Sequence, residues 1–229
     1  MLLLWAMLGL VSPACAHDLP VLYDWDSANG KVLRARMSAG ADFWQLSPVF
    51  ATQETQTYCA VASAVTVLNA LPLSRPVDPA YAPYPFFTQR NFFSAEVTRL
   101  ISPQTVLAQG MTRDEMVQAL TLHGVQAHSV AGDSLSEAAL RELLHQALGD
   151  DGRFVLANYL RAELGQVGGG HWSVLAAYDE ISDRVLILDV AKYKYPPVWV
   201  DLATLRRAIA TRDATSGKAR GLVIVRAGR

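Results

Sequence analysis

Four residues of this chain form a set able to carry acyl transfer: Gln53, Cys59, His171 and Asp189. Cys59 stands at the mouth of the apolar run CAVASAVTVLNAL, which reads as a largely buried helix that begins near Cys59 and stops before Pro72. Unpaired N–H groups and the macrodipole at a helix N-terminus favour negative charge, so a thiol placed there ionises more readily. The thiolate is the nucleophile. Gln53 lies six residues earlier, on the approach to the helix. Its side-chain amide and the Cys59 backbone N–H would make a pair of donors for an oxyanion.

Such a nucleophile needs a base, and the histidines are His17, His123, His128, His145 and His171. His123, His128 and His145 fall in or beside amphipathic helical stretches and read as solvated or structural. His171 differs, because it follows Gly168, Gly169 and Gly170 and opens an apolar strand. Glycines there let the backbone approach a partner closely or take strained angles. Asp189 closes the run VLILD, where a carboxylate buried without a partner would cost several kcal/mol. If Tyr178 pairs with Arg184 across the hairpin turn, Ser173 faces Asp189 and His171 lies one diagonal step away on the same face. Asp189 would then orient His171 and stabilise its imidazolium. A slip of one residue would put the two on opposite faces.

The elements that must position these groups change character along the chain. Thr112 with Glu115 makes a capping box before Met116, Val117 and Leu120, with Gly124 as terminator, and Ser134 with Glu137 does the same before Leu140, Leu143 and Leu144. The middle third therefore reads as helical. Residues 153–160, 171–178, 184–190 and 221–227 read as strands, with a short helix capped by Asp201 and running to about Ala210 between the last two. Residues 75–93, rich in proline and aromatics, read as an irregular surface excursion. Helices first and an antiparallel sheet after them make one α+β domain.

Composition narrows the function class. With 20 basic and 21 acidic side chains among 229 residues, the chain lacks the basic excess of a nucleic-acid binder. The first sixteen residues, MLLLWAMLGLVSPACA, carry no charge and are too short to span a bilayer. Ala14-Cys15-Ala16 has the small-x-small form of a signal-peptidase site, so residues 1–16 read as a signal peptide and 17–229 as the catalytic domain, exported to a periplasm. Cleavage would leave Cys59 as the sole cysteine, unable to form an internal disulfide: a working thiol or a small buried core residue. One cysteine builds no thiolate metal site, no paired His or Cys spacing suits zinc, and no G-x-S-x-G elbow marks a serine hydrolase.

The order Gln53, Cys59, His171, Asp189 follows papain-like logic, and the predicted fold is accordingly a papain-like cysteine protease fold: a helical part bearing the cysteine at a helix N-terminus, packed on a C-terminal antiparallel sheet. The segments YCAVASAVTVLNAL, GGGHWSVLAAYDEISDRVLILDVAKYKYPPVWVDLATL and DATSGKARG together resemble the phytochelatin synthases, the glutathione γ-glutamylcysteinyltransferases, in their short bacterial form. The likeness runs from about Thr52 to Val225. It implies that Cys59 attacks the Cys-Gly bond of glutathione, releases glycine, and passes a γ-glutamylcysteinyl group to water or to a second glutathione. It further implies that Arg161, Asp213 and Arg220 hold the charged γ-glutamyl end and that Gly170 lines the substrate site. No tightly bound cofactor is implied; Cd²⁺ or Zn²⁺ would act as glutathione thiolate complexes, and a homodimer is the expected assembly. The chain departs from the family pattern at Ala60, Thr55 and Lys192, where Gly, Glu and Arg are usual. Lys192 keeps the charge and loses the bidentate geometry. A papain-like protease of broader peptide specificity shares the triad, and a non-catalytic binder of γ-glutamyl thiols would share the charged residues.

Overall fold

The strand segments of this chain, RFVLANYL and RVLIL among them, hold apolar runs such as FVLA and VLIL that do not alternate with polar residues. An antiparallel sheet with one wet face alternates; an unbroken apolar run needs cover on both faces. The computed structural model, which describes residues 20–149 and 152–228, has that arrangement. The segment 1–16 read as a signal peptide lies outside the described residues.

Seven strands form one antiparallel sheet: β1 (Tyr23–Asp24), β2 (Val125–Ala131), β3 (Arg153–Leu160), β4 (Gly170–Asp179), β5 (Arg184–Leu188), β6 (Val198–Asp201) and β7 (Gly221–Ala227), in the spatial order β1-β6-β5-β4-β3-β7-β2. Side chains alternate between two cores. In β3, Phe154 and Leu156 join the core of the Cys59–Ala70 helix, whereas Val155, Ala157 and Tyr159 join a second core with Leu140 and Leu144 of the Glu137–Ala147 helix and Leu205 of the Leu202–Ala210 helix. In β5 the partition repeats, with Leu186 and Leu188 on one side and Val185 and Ile187 on the other. Eleven of the twelve residues of the Cys59–Ala70 helix are buried, so its position at the sheet is set by packing along its whole length. Among the described residues no helix is long and apolar enough to cross a membrane.

Several sequence expectations need correction. The middle third is not wholly helical: β2 leaves the Arg113–Leu122 helix after Gly124 (φ 81°) and pairs with β7. Its seven residues VQAHSVA form an edge strand, half exposed, with too weak an apolar alternation to be read. The short strands β1 and β6 were likewise unread. The cap of the Glu137–Ala147 helix is Ser136, whose side chain accepts from the Ala139 N–H at 3.1 Å; Ser134 instead donates to the Ala131 carbonyl. The Thr112–Glu115 capping box and the Asp201 cap form as the sequence predicts.

The hairpin carrying His171 and Asp189 differs in an instructive way. Tyr178 pairs with Val185, not Arg184, and Asp179 pairs with Arg184 across the turn. Counting from that turn alone would put His171 and Asp189 on opposite faces. A β-bulge at Ala176 takes up the extra residue, so that Leu175 faces Ile187 and Val174 faces Leu188. Continuing this register by one residue sets Asp189 against Ser173, the alignment the sequence reading reached from a different turn.

Candidate active site

Cys59 is the first residue of its helix, and the preceding Tyr58 provides no side-chain cap, so no capping oxygen competes with the thiol for the free first-turn N–H groups, of which Ala60 N–H reaches it. Cys59 is buried and unpaired in any disulfide. Burial works against its thiolate, but His171 beside it, a hydrogen bond to His171, and backbone hydrogen bonds at Trp172 and Ala60 outweigh that, and the thiol titrates below its ordinary value. His171 shifts the other way. Burial opposes its charged form, yet the nearby Cys59 and the bonded Asp189 raise it overall. The two shifts together describe a thiolate–imidazolium pair.

Asp189, fully buried, is the hub behind that pair. Its Oδ1 lies 2.8 Å from His171 Nε2 and accepts from Arg161 Nη2 and the Ala191 backbone N–H, each at 2.9 Å. Its Oδ2 lies 2.7 Å from Arg161 Nη1, an ion contact outside hydrogen-bond geometry. Burial alone would raise this carboxyl, but His171 and Arg161 hold it down at about 2. With Nε2 taken by Asp189, Nδ1 is the nitrogen left for Cys59. Tyr159 stands edge-on to the imidazole, ring centroids 5.6 Å apart, on the strand neighbouring His171. Arg161 thus spends its fork on the triad while also bordering a cavity, and Gln166 Oε1 accepts its Nη1–H at 2.6 Å.

Gln53 is buried on the same cleft. Its Nε2 donates to the Thr55 carbonyl at 2.7 Å and the Tyr193 hydroxyl at 2.9 Å, while its Oε1 is buried without a partner. Its backbone N–H donates to Val190 O, which ties the segment to the residue after Asp189. Gln89 pins the flanks, accepting from Glu54 N–H and donating to Thr52 O. The sequence reading missed Gln89, which lies in the loop taken for a surface excursion; its burial there is a tertiary effect.

Two cavities meet at Gly170 and His171. One, about 210 Å³, is lined by Cys59, Asn158, Trp172, Asp213 and Arg220. Arg220 is buried, donates to Asn158 Oδ1 at 2.7 Å and lies 3.4 Å from Asp213 Oδ1, with its Nε buried and unpartnered. The absence of a side chain at Gly170 leaves room for this Arg220 pose, since a Cβ there would lie 2.2 Å from Arg220 Nη1. Asn158 was missed, although a lone amide in the apolar strand RFVLANYL was a signal available in the sequence. The other cavity, about 410 Å³, is lined by Gln53, Arg161, the Gly168–Gly170 loop, Tyr193 and Lys194. Lys192 is turned elsewhere, its Nζ donating to Phe50 O at 2.6 Å and lying 3.8 Å over the Phe50 ring. Among the described residues no group of three or more His, Cys, Asp or Glu side chains converges as metal ligands.

Residues 18–222 match the family model described as phytochelatin synthase. The chain is 31% identical over 209 residues to glutathione gamma-glutamylcysteinyltransferase 1 of Triticum aestivum, covering 90% of this chain and 41% of the relative. It is 28% identical to the Arabidopsis thaliana protein of the same name, covering 90% and 42%, and 26% identical to the Schizosaccharomyces pombe transferase, covering 88% and 48%. The chain thus spans less than half the length of these curated relatives. Among solved structures it is similar to the peptidase domain of Streptococcus ComA, with a TM-score of 0.44 and 14% identity over 77% of this chain and 96% of the other. A double glycine motif protease from an AMS/PCAT transporter gives a TM-score of 0.41 at 16% identity, covering 77% and 89%.

Proposed function

Because this chain belongs to the phytochelatin synthase family, we propose that it cleaves the Cys–Gly peptide bond of glutathione through a γ-glutamylcysteinyl thioester on Cys59. The observation that carries this reading is the Asn158–Arg220–Asp213 array in the cavity that holds Cys59. An arginine fork suits an α-carboxylate and an aspartate suits an α-ammonium, so a buried arginine and a carboxylate side by side match the zwitterionic end of a γ-glutamyl group.

In that pose the Cys59 thiolate attacks the cysteinyl carbonyl carbon, and the oxyanion is held by the Cys59 backbone N–H and by the Gln53 Nε2–H that gives up the Tyr193 hydroxyl for it. Imidazolium His171 gives its Nδ1 proton to the glycine nitrogen as the C–N bond breaks, and glycine leaves. Neutral His171 then takes a proton from the acceptor as it attacks the thioester, and Cys59 is released as thiolate beside a reprotonated His171. We propose water as the main acceptor, giving γ-glutamylcysteine, because the family's usual Arg position holds Lys192, tethered to Phe50. Cd²⁺ or Zn²⁺ would enter as glutathione thiolate complexes, as part of the substrate.

Incubation with millimolar glutathione, with and without Cd²⁺, and separation of thiol products by mass tests this. Free γ-glutamylcysteine and glycine are expected. Longer γ-glutamylcysteine oligomers would make it a synthase, and untouched glutathione with cleavage of other peptides would leave a broader papain-like protease. Export after cleavage at Ala16 and a homodimeric assembly complete the proposal; N-terminal sequencing of the periplasmic protein should begin at His17, and light scattering should give twice the chain mass.

A further inference from the structure

The cavity of about 410 Å³ beyond His171 is not used by the acyl group in this reading. Cys59, Asn158, Asp213 and Arg220 all line the other cavity, and Gly170 and His171 are common to both. A peptide bond placed at Cys59 with its acyl side toward Arg220 must send its amine side past His171, which has to protonate the nitrogen. The amine side therefore enters the larger cavity.

The charges lining that cavity do not cancel. Arg161 and His171 are matched by Asp189 together with the Cys59 thiolate. Lys194 is exposed and has no carboxylate partner among the described residues; its Nζ donates to the Val167 carbonyl, at 2.6 Å. An ammonium has three donors, so it has others to offer. Its position is nonetheless defined. Nζ lies 5.5 Å from the Tyr195 ring, and the Tyr195 hydroxyl accepts from the Val167 N–H, so Lys194 and Tyr195 together grip the strand of chain that enters the glycine loop. A Cβ on Gly168 (φ 134°) would lie 3.3 Å from Lys194 Nζ, which places the ammonium against the glycine loop.

We propose that this cavity binds the leaving glycine by its carboxylate, with Lys194 as the recognising cation. The inference rests on the glutathione reading and deepens it. Glycine carries its carboxylate one carbon from the nitrogen that His171 protonates, so a cation in the cavity that His171 lines is suited to take the carboxylate while His171 serves the nitrogen. Lys194 then sets specificity for a free C-terminal carboxylate on the leaving group.

The test compares glutathione with its C-terminal amide, γ-Glu-Cys-Gly-NH₂, by release of γ-glutamylcysteine. The wild type should prefer glutathione by about tenfold in kcat/KM. The preference should collapse toward one in Lys194→Met and be largely kept in Lys194→Arg. If Lys194 only tethers Val167, its loss would slow both substrates alike and keep the ratio, which would overturn the inference alone. No preference in the wild type would do the same without any variant. A wild type that cleaves neither substrate would overturn the glutathione reading together with it.

Discussion

Arg161 and His171 meet one buried carboxylate: Asp189 Oδ1 lies 2.9 Å from Arg161 Nη2 and 2.8 Å from His171 Nε2. When Cys59 is a thiolate and His171 an imidazolium, the four groups carry two positive and two negative charges and cancel. Uncompensated charge is costly away from water, so the neutral sum is a reason the ion pair persists in so buried a setting.

Removing Arg161 should therefore act through Asp189. In Arg161→Met, Asp189 loses a cation that holds its pKa at about 2, and that value should climb toward the ordinary carboxylate range. The acid limb of kcat/KM should move to higher pH, with stability falling by about 3–5 kcal/mol. Arg161→Lys should recover part of both. A pH profile and a thermal melt read the two effects, and an unmoved acid limb would contradict this coupling.

The pH profile of the native protein has a sign that follows from the same cluster. Activity needs thiolate Cys59, whose pKa is lowered, and protonated His171, whose pKa is raised. Glycine release should rise as Cys59 ionises, hold through neutral pH, and fall as His171 loses its proton. Asp189, depressed in the fold, stabilises the protein above about pH 4, and that contribution should be lost as pH falls toward about 2. A rate that climbed steadily into alkali would deny the imidazolium its part.

Cys59→Ala should abolish glycine release and leave the circular dichroism spectrum unchanged, because the helix it heads is held by the other buried residues, Ala60 to Asn69. Asp189→Ala should lower kcat by about 10²- to 10⁴-fold, since His171 loses its orienting partner. An active Cys59→Ala protein would remove the nucleophile from the proposal.

Gly170→Ala should separate binding from chemistry. Its Cβ would drive into the Arg220 guanidinium, the movable end of a side chain, so the fold should survive while Arg220 shifts off Asn158. KM for glutathione should rise about tenfold or more, with a smaller change in kcat. Equal KM values would show that Arg220 does not hold the γ-glutamyl end.

Much of this site was legible because it depends on local physics. The apolar run after Cys59 and Pro72 beyond it mark a helix, and its N-terminus lowers the pKa of a thiol wherever the helix packs. The glycines before His171 and the lone acid closing VLILD are anomalies that a strand does not need for its own sake. That Arg161 also braces Asp189 was not legible, because sequence gives the charge of a side chain and not its partner. The Arg161 fork is spent on Asp189 because β4 lies between β3 and β5 and brings the residue after β3 beside the residue after β5, which lies 28 positions on in the chain. Gln89 went unread for the same reason.

The residue types, their order, the helix at Cys59 and strands β3 and β7 follow from the sequence alone, since propensity and apolar runs act over a few neighbours. Which residues meet was decided by tertiary structure. The Ala176 bulge shows why: Ala176 and Ala177 are both small enough to face the core of the Cys59–Ala70 helix, so nothing local marks where the extra residue goes. The register of His171 against Asp189 is selected by packing β4 and β5 between two cores, and that choice is made only when both cores close.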